Sequence, residues 1–179
     1  MENDERFMKA ALDEARRAES EGEVPIGAVI VSRGQIIARG HNLTEHLHDV
    51  TAHAEMQAIT AAAEHLGGKY LQDCTLYVTV EPCVMCAGAL GWSQISRIVF
   101  GAPDEKRGYR SFAPGALHPK TEVEEGVMCE ECTRLMTEFF KNLTAGMSKR
   151  AAFIAAQGVV RAQYPDPEHW AAFVMVDGM

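Results

Sequence analysis

Two short segments, TAHAE at Thr51–Glu55 and EPCVMC at Glu81–Cys86, lie 26 to 30 residues apart and constrain the fold more than any other part of the chain. They supply one imidazole, two thiols and one carboxylate, and these groups meet only if two helix starts are brought side by side. A structural zinc site closes its coordination with four protein ligands, whereas a catalytic one keeps a position open. Here the evident ligands stop at three: His53, Cys83 and Cys86.

Local pattern supports that convergence. His53 opens an apolar stretch (Ala54, Met56, Ala58, Ile59, Ala62, Ala63, Leu66), and Pro82 stands where the first turn of a helix tolerates proline. Cys83 and Cys86, at i and i+3, then share one helix face. His53 and Glu55, at i and i+2, converge only around the end of the helix axis. Two helix N-termini aimed at one point favour thiolates there. Alone, the His-x-Glu is weak, and the CxxC suits a redox pair or half of a structural zinc site equally well. The combination reads as a catalytic site for one zinc per chain.

Composition excludes several other classes. A chain of 179 residues, 47% hydrophobic, can build one substantial core. No apolar run approaches the roughly 18 residues of a membrane span. The start, MENDERFMKAALDEARR, is acidic and helical where a signal peptide would be basic and then apolar. Five cysteines leave an odd thiol under any full disulfide pairing, so a reduced, cytoplasmic setting is expected.

Helix and strand signals alternate along the chain. An amphipathic helix is predicted at Asp4–Glu19, with Phe7, Met8, Ala11, Leu12 and Ala15 at helical spacing. Ile26–Val31 and Gln35–Gly40 read as a hairpin turning at Ser32, Arg33 and Gly34. After the His53 helix come a strand at Leu76–Val80, the Cys83 helix, strands at Ile98–Phe100 and Val123–Val127, and a helix at Met128–Phe140. This order predicts an α/β fold with a mixed sheet covered by helices. The domain is drawn at residues 1–143, with an atypical extension at 144–179 that carries a helix at Lys149–Gln163 and an apolar strand at Trp170–Val176.

The joint H-x-E and P-C-x-x-C pattern is the signature of the zinc deaminases. Over roughly residues 3 to 143 the chain resembles the cytidine-deaminase-like superfamily, and within it the bacterial tRNA adenosine deaminases, with guanine deaminases close behind. The matching segments are EVPIGAV at Glu23–Val29, GHN at Gly40–Asn42, HDVTAHAE at His48–Glu55, LYVTVEPCVMCAGA at Leu76–Ala89 and RIVFGA at Arg97–Ala102. The resemblance implies a three-layer α/β/α fold with a mixed five-stranded sheet. It implies hydrolytic deamination of a purine, either a wobble adenosine in a tRNA anticodon loop or guanine or another small purine.

Roles follow from that resemblance. Zinc, when bound, lowers the pKa of its water from about 15.7 toward about 7. Glu55 is the implied proton shuttle, from the attacking water to a purine ring nitrogen and then to the departing ammonia, work typically worth about 10² to 10⁴ in rate. The backbone N–H of Cys83 is a candidate donor to the attacking oxygen. Asn42, by itself a turn residue, is implied to hold the substrate, and Ile26 and Val80, by themselves core residues, to sandwich the purine ring. Asp104, Lys106 and Gly108 match the tRNA-deaminase pattern. YRSF at Tyr109–Phe112 departs from it, and Trp92, just past the cysteine helix, is similar to guanine deaminases.

The net charge of −8 opposes generic nucleic-acid binding. Locally, Arg97, Lys106, Arg107, Arg110 and Lys120 outnumber Asp104 and Glu105, with Tyr109 and Phe112 interleaved. Such a basic, aromatic stretch suits a single-stranded RNA loop. His41, His46 and His48 read as solvated loop side chains. Cys129 and Cys132 repeat the CxxC spacing between acidic neighbours and read as two ordinary thiols, and Cys74 as a small core residue. A homodimer is the expected assembly. A zinc-stabilised module without catalysis is the remaining alternative, against which Glu55 stands. The extension is similar to the closing helix and strand of caspase-like CHAT domains, with no protease function implied.

Overall fold

The computed structural model describes residues 2–144 of the chain. Helix α1 (Glu2–Ser20) leads into a hairpin of β1 (Gly27–Ser32) and β2 (Gln35–His41), whose turn places Arg33 and Gly34 in the left-handed region at φ 50° and 75°. A short α2 (Thr44–Leu47) precedes α3 (Ala54–Leu66), β3 (Cys74–Val80), α4 (Val84–Ser93) and β4 (Arg97–Ala102). A second short helix, α5 (Tyr109–Phe112), then β5 (Glu122–Glu125) and α6 (Cys129–Thr144) complete the described residues.

The five strands form one mixed sheet in the order β2-β1-β3-β4-β5. Strand β1 is antiparallel to both neighbours, while β3, β4 and β5 run parallel. Alternation along the strands separates two apolar layers. Ala28, Ile30, Leu76, Val78, Ile98 and Phe100 face the small-residue side of α3 (Ala54, Ala58, Ala62) and Leu90 of α4. Val29, Val31, Tyr77 and Val99 face Phe7, Met8, Ala11 and Leu12 of α1 and Cys132 of α6. Each fully buried Leu or Ile in these layers contributes about 1.5–3 kcal/mol, so the sandwich holds the sheet from both sides. This is the three-layer fold that the sequence resemblance implied.

Helix α3 sits unusually close to the hairpin. A Cβ on Gly40 of β2 would collide with the backbone of Ala54 and Ala58, so only glycine lets α3 lie directly on the strand. That contact fixes the head of α3. The expected tail elements at Lys149–Gln163 and Trp170–Val176 lie outside the described residues. Among the described residues no helix is long and apolar enough to cross a membrane.

Candidate active site

The two motifs meet at the carboxyl ends of the parallel strands, where open α/β sheets place their ligand crevices. His53 and Cys83 are not first-turn residues, as the sequence pattern predicts, but the N-caps of α3 and α4. Both have extended backbone, at φ/ψ −69°/155° and −70°/171°. Neither side chain makes a capping hydrogen bond to its own helix; instead the two meet Cys86, three residues after Cys83, in one cluster and share a cavity with Glu55, two residues after His53. Pro82 consequently precedes the cap instead of filling the first helical position.

The donor atoms fit zinc. Nδ1 of His53 lies 3.6 Å from Sγ of Cys83 and 3.4 Å from Sγ of Cys86, and the three ligating atoms fall within 4.8 Å of one another. A tetrahedral centre with Zn–S about 2.3 Å and Zn–N about 2.0 Å has N···S edges of roughly 3.5 Å. The thiols are coupled. Donation from Cys86 above all, with burial opposing and His53 assisting, pulls Cys83 down to about 4, while Cys86 rises well above the ordinary thiol range. Nε2 of His53 is buried with no hydrogen-bond partner among the described residues.

Glu55 is 4% exposed. Burial first, then the charge on Cys83, pushes its carboxyl up to about 7, against the pull of His53. A carboxyl poised near neutrality can both accept and deliver a proton. It opens on a cavity of about 800 Å³ together with His53 and Cys83.

The structure sorts the other candidates. Ile26 and Val80 do line this cavity, and so do Asp104 and Lys106. Asn42 is buried and is not among the lining residues; it adjoins the Ile26 wall, its N–H donating to the Ile26 carbonyl (3.0 Å) and its amide nitrogen to Glu23 and Thr44, both at 3.0 Å. Glu23, fully buried, also accepts the backbone N–H groups of Glu45 and His46. That carboxylate therefore fixes both Asn42 and the start of α2.

Several expectations are corrected. Arg97 and Arg110 are not unpaired cations of a basic strip: Arg97 is engaged by Asp4 (2.8 Å) and the exposed Arg110 by Glu81 (3.0 Å). Tyr109 is buried away from the cavity, leaving Phe112 as the exposed aromatic of that segment. Trp92 is 86% exposed on α4 and does not line the cavity, so it is no wall over a small purine. His41 is no solvated loop residue, since Glu14 (3.5 Å) and Glu21 (3.1 Å) enclose it. His46 and His48 are exposed as expected.

The sequence reading missed one wall. Thr133, Met136, Thr137 and Phe140 of α6 line the cavity, and their i, i+3, i+4, i+7 spacing is a helical stripe. Glu81, which also lines it, was visible only as the residue before Pro82.

Comparison with known proteins agrees with this geometry. Residues 1–102 match the family described as the cytidine and deoxycytidylate deaminase zinc-binding region. The tRNA-specific adenosine deaminase of Aquifex aeolicus is 46% identical over 144 residues, spanning 78% of this chain and 95% of that protein. A solved structure from a study of A-to-I editing by tRNA A34 deaminases at the wobble position superposes with a TM-score of 0.69 at 44% identity, covering 73% of this chain and 98% of that one. The guanine deaminase of Nitrosomonas europaea gives a TM-score of 0.68 at 27% identity, over 75% and 83%. With more than half of its length matched and the ligand set assembled, this chain belongs to the cytidine and deoxycytidylate deaminase zinc-binding family and is a zinc-dependent hydrolytic enzyme.

Proposed function

We propose that this enzyme converts adenosine to inosine in the anticodon loop of tRNA, releasing ammonia. The observation that carries the chemistry is the confinement of the Glu55 carboxyl in one cavity with His53 and Cys83. The substrate is supported by relatives named tRNA-specific adenosine deaminase at 46% and 47% identity. It is supported also by Asp104 and Lys106 on the cavity rim.

His53 Nδ1 and the Cys83 and Cys86 thiolates would hold one zinc, which would supply a water acidified toward about pKa 7. Glu55 takes the proton of the attacking water and passes it to the ring nitrogen beside the amino-bearing carbon. It then takes the remaining hydroxyl proton from the tetrahedral carbon and delivers it to the amino nitrogen, so that the C–N bond breaks, ammonia leaves and the carbonyl of inosine forms. The Cys83 N–H, ahead of the helical hydrogen-bond ladder of α4, donates to the attacking oxygen. Ile26 and Val80 flank the purine, and Asn42, with its amide nitrogen committed to Glu23 and Thr44, presents its amide oxygen to it. Anticodon bases are already unpaired, which lowers the few kcal/mol that extrusion of a base costs. Lys106 meets phosphate. A homodimer forms through the exposed apolar face of α4, Val84 and Trp92.

The test offers the zinc-loaded enzyme an adenosine-containing anticodon stem-loop and, separately, guanine, adenine, guanosine and cytidine. Inosine in the stem-loop is the expected product. Glu55→Ala should retain one zinc and lose turnover by about 10² or more, whereas Cys83→Ala/Cys86→Ala should lose the metal. Lys106→Glu should weaken stem-loop binding and reduce its salt slope by about one. Efficient turnover of free guanine with an unmodified stem-loop would overturn the RNA assignment.

A further inference from the structure

Glu81 is 5% exposed and no step of the chemistry above uses it. Its carboxylate reaches across to the segment after β4 and accepts three hydrogen bonds: the Asp104 N–H (3.2 Å), the Arg110 N–H (3.1 Å) and Nη2 of Arg110 (3.0 Å). Its own N–H donates to the Ala102 carbonyl at 2.8 Å. Charge-assisted bonds of this kind are about twice as strong as neutral ones, and a buried carboxylate without them would be costly.

The segment it holds is the cavity rim. Asp104, Glu105 and Lys106 line the cavity, and the Asp104 carboxylate folds back on its own loop, accepting the Lys106 and Arg107 N–H groups at 3.0 Å each. The far end is pinned as well. The Tyr109 N–H donates to the Pro82 carbonyl (3.0 Å), and Cys83 and Gly108 form a bridge. Any Cβ at Gly108 would strike the Glu81 carboxyl group, so the two residues interlock. Arg110, in turn, lies 5.0 Å from the Phe100 ring centroid and pairs with Glu125 of β5. Its guanidinium therefore belongs to the scaffold.

We infer that Glu81 is a positioning residue for substrate binding: with Arg110 it clamps residues 104–110 so that the rim carrying Lys106 keeps a fixed place over the cavity. This rests on the deaminase reading above and deepens it. Because Glu81 acts through the rim, its loss weakens binding more than chemistry.

The experiment compares wild type, Glu81→Ala, Glu81→Gln and Arg110→Ala by amide hydrogen exchange of the full zinc-loaded chain and by kcat and KM on the adenosine stem-loop. In Glu81→Ala the Asp104 and Arg110 amides should exchange about tenfold faster or more. KM should rise about tenfold while kcat stays within about twofold. Glu81→Gln, which keeps an acceptor but loses the ion pair, should recover part of the binding. Arg110→Ala, which leaves the zinc ligands themselves unchanged, should reproduce the KM effect in milder form, and its combination with Glu81→Gln should be less than additive. Unchanged exchange of both amides in Glu81→Ala, or a loss confined to kcat, would overturn the inference. If wild type leaves the stem-loop unmodified, the substrate assignment fails separately, and amide exchange still decides the clamp.

Discussion

Asp4 ties the first helix to the sheet. Its carboxylate accepts both guanidinium nitrogens of Arg97, at 2.8 and 3.3 Å, and the Tyr77 hydroxyl at 2.7 Å. The Arg97 hydrogen bonds hold its carboxyl below the ordinary carboxylate range, with burial opposing and Tyr77 assisting. A depressed folded-state pKa contributes stability that is complete above the unfolded value, near 4, and is lost as pH falls through the folded one. Asp4→Asn should therefore cost about 1–3 kcal/mol at neutral pH. The gap to wild type should stay constant down to about pH 4 and shrink below it. Urea melts at several pH values check this; a gap that persists unchanged to pH 2 would assign the effect to packing. The same residues mark a limit of sequence reading. Arg97 and Arg110 are legible only as basic side chains, because their partners lie 93 and 29 residues away. Two of the five cations in what looks like a basic patch, Arg97 and Arg110, are ion-pair scaffold.

At the scale of elements, helix periodicity and strand alternation placed every principal helix and strand in the described residues to within a few positions. The two one-turn helices α2 and α5 were not legible, being too short for a period to show. The catalytic motifs were legible because their residues are contiguous and their chemistry is narrow. The α6 wall was not: Thr133, Met136, Thr137 and Phe140 form a readable stripe, but periodicity does not say which part of the sheet a stripe covers. Nor does it reveal that Gly40 sets the spacing between β2 and α3. Gly40→Ala would drive a methyl group into the α3 backbone, and overpacking of that kind costs about 1–3 kcal/mol. Since His53 and Glu55 ride on the head of α3, the variant should also bind zinc more weakly than wild type. A chelator titration followed by thermal melting would check both; equal zinc affinity in a destabilised variant would uncouple the helix seat from the metal site.

For the whole molecule, the net charge of −8 and a polyanionic substrate pull in opposite directions, so recognition has to be local. The acidic side chains are partly spent inside the fold: Glu23, Glu55 and Glu81 are buried, and Asp4 is paired. The rim offers Lys106 beside the cavity. The residues the proposed reaction uses lie between Ile26 and Phe140, and among the described residues the five-stranded sheet, both apolar layers and the α6 wall are formed without any other segment. Truncation after Thr144 should accordingly preserve one zinc per chain and stem-loop deamination within about twofold. If the proposed homodimer forms, sedimentation should show it for the truncated and full chains alike, with Trp92→Glu dissociating both, because a charge at a buried apolar contact is costly. A truncated chain that keeps its zinc and its melting transition but no longer deaminates the stem-loop would place part of the active site, or of the surface that holds tRNA, beyond residue 144.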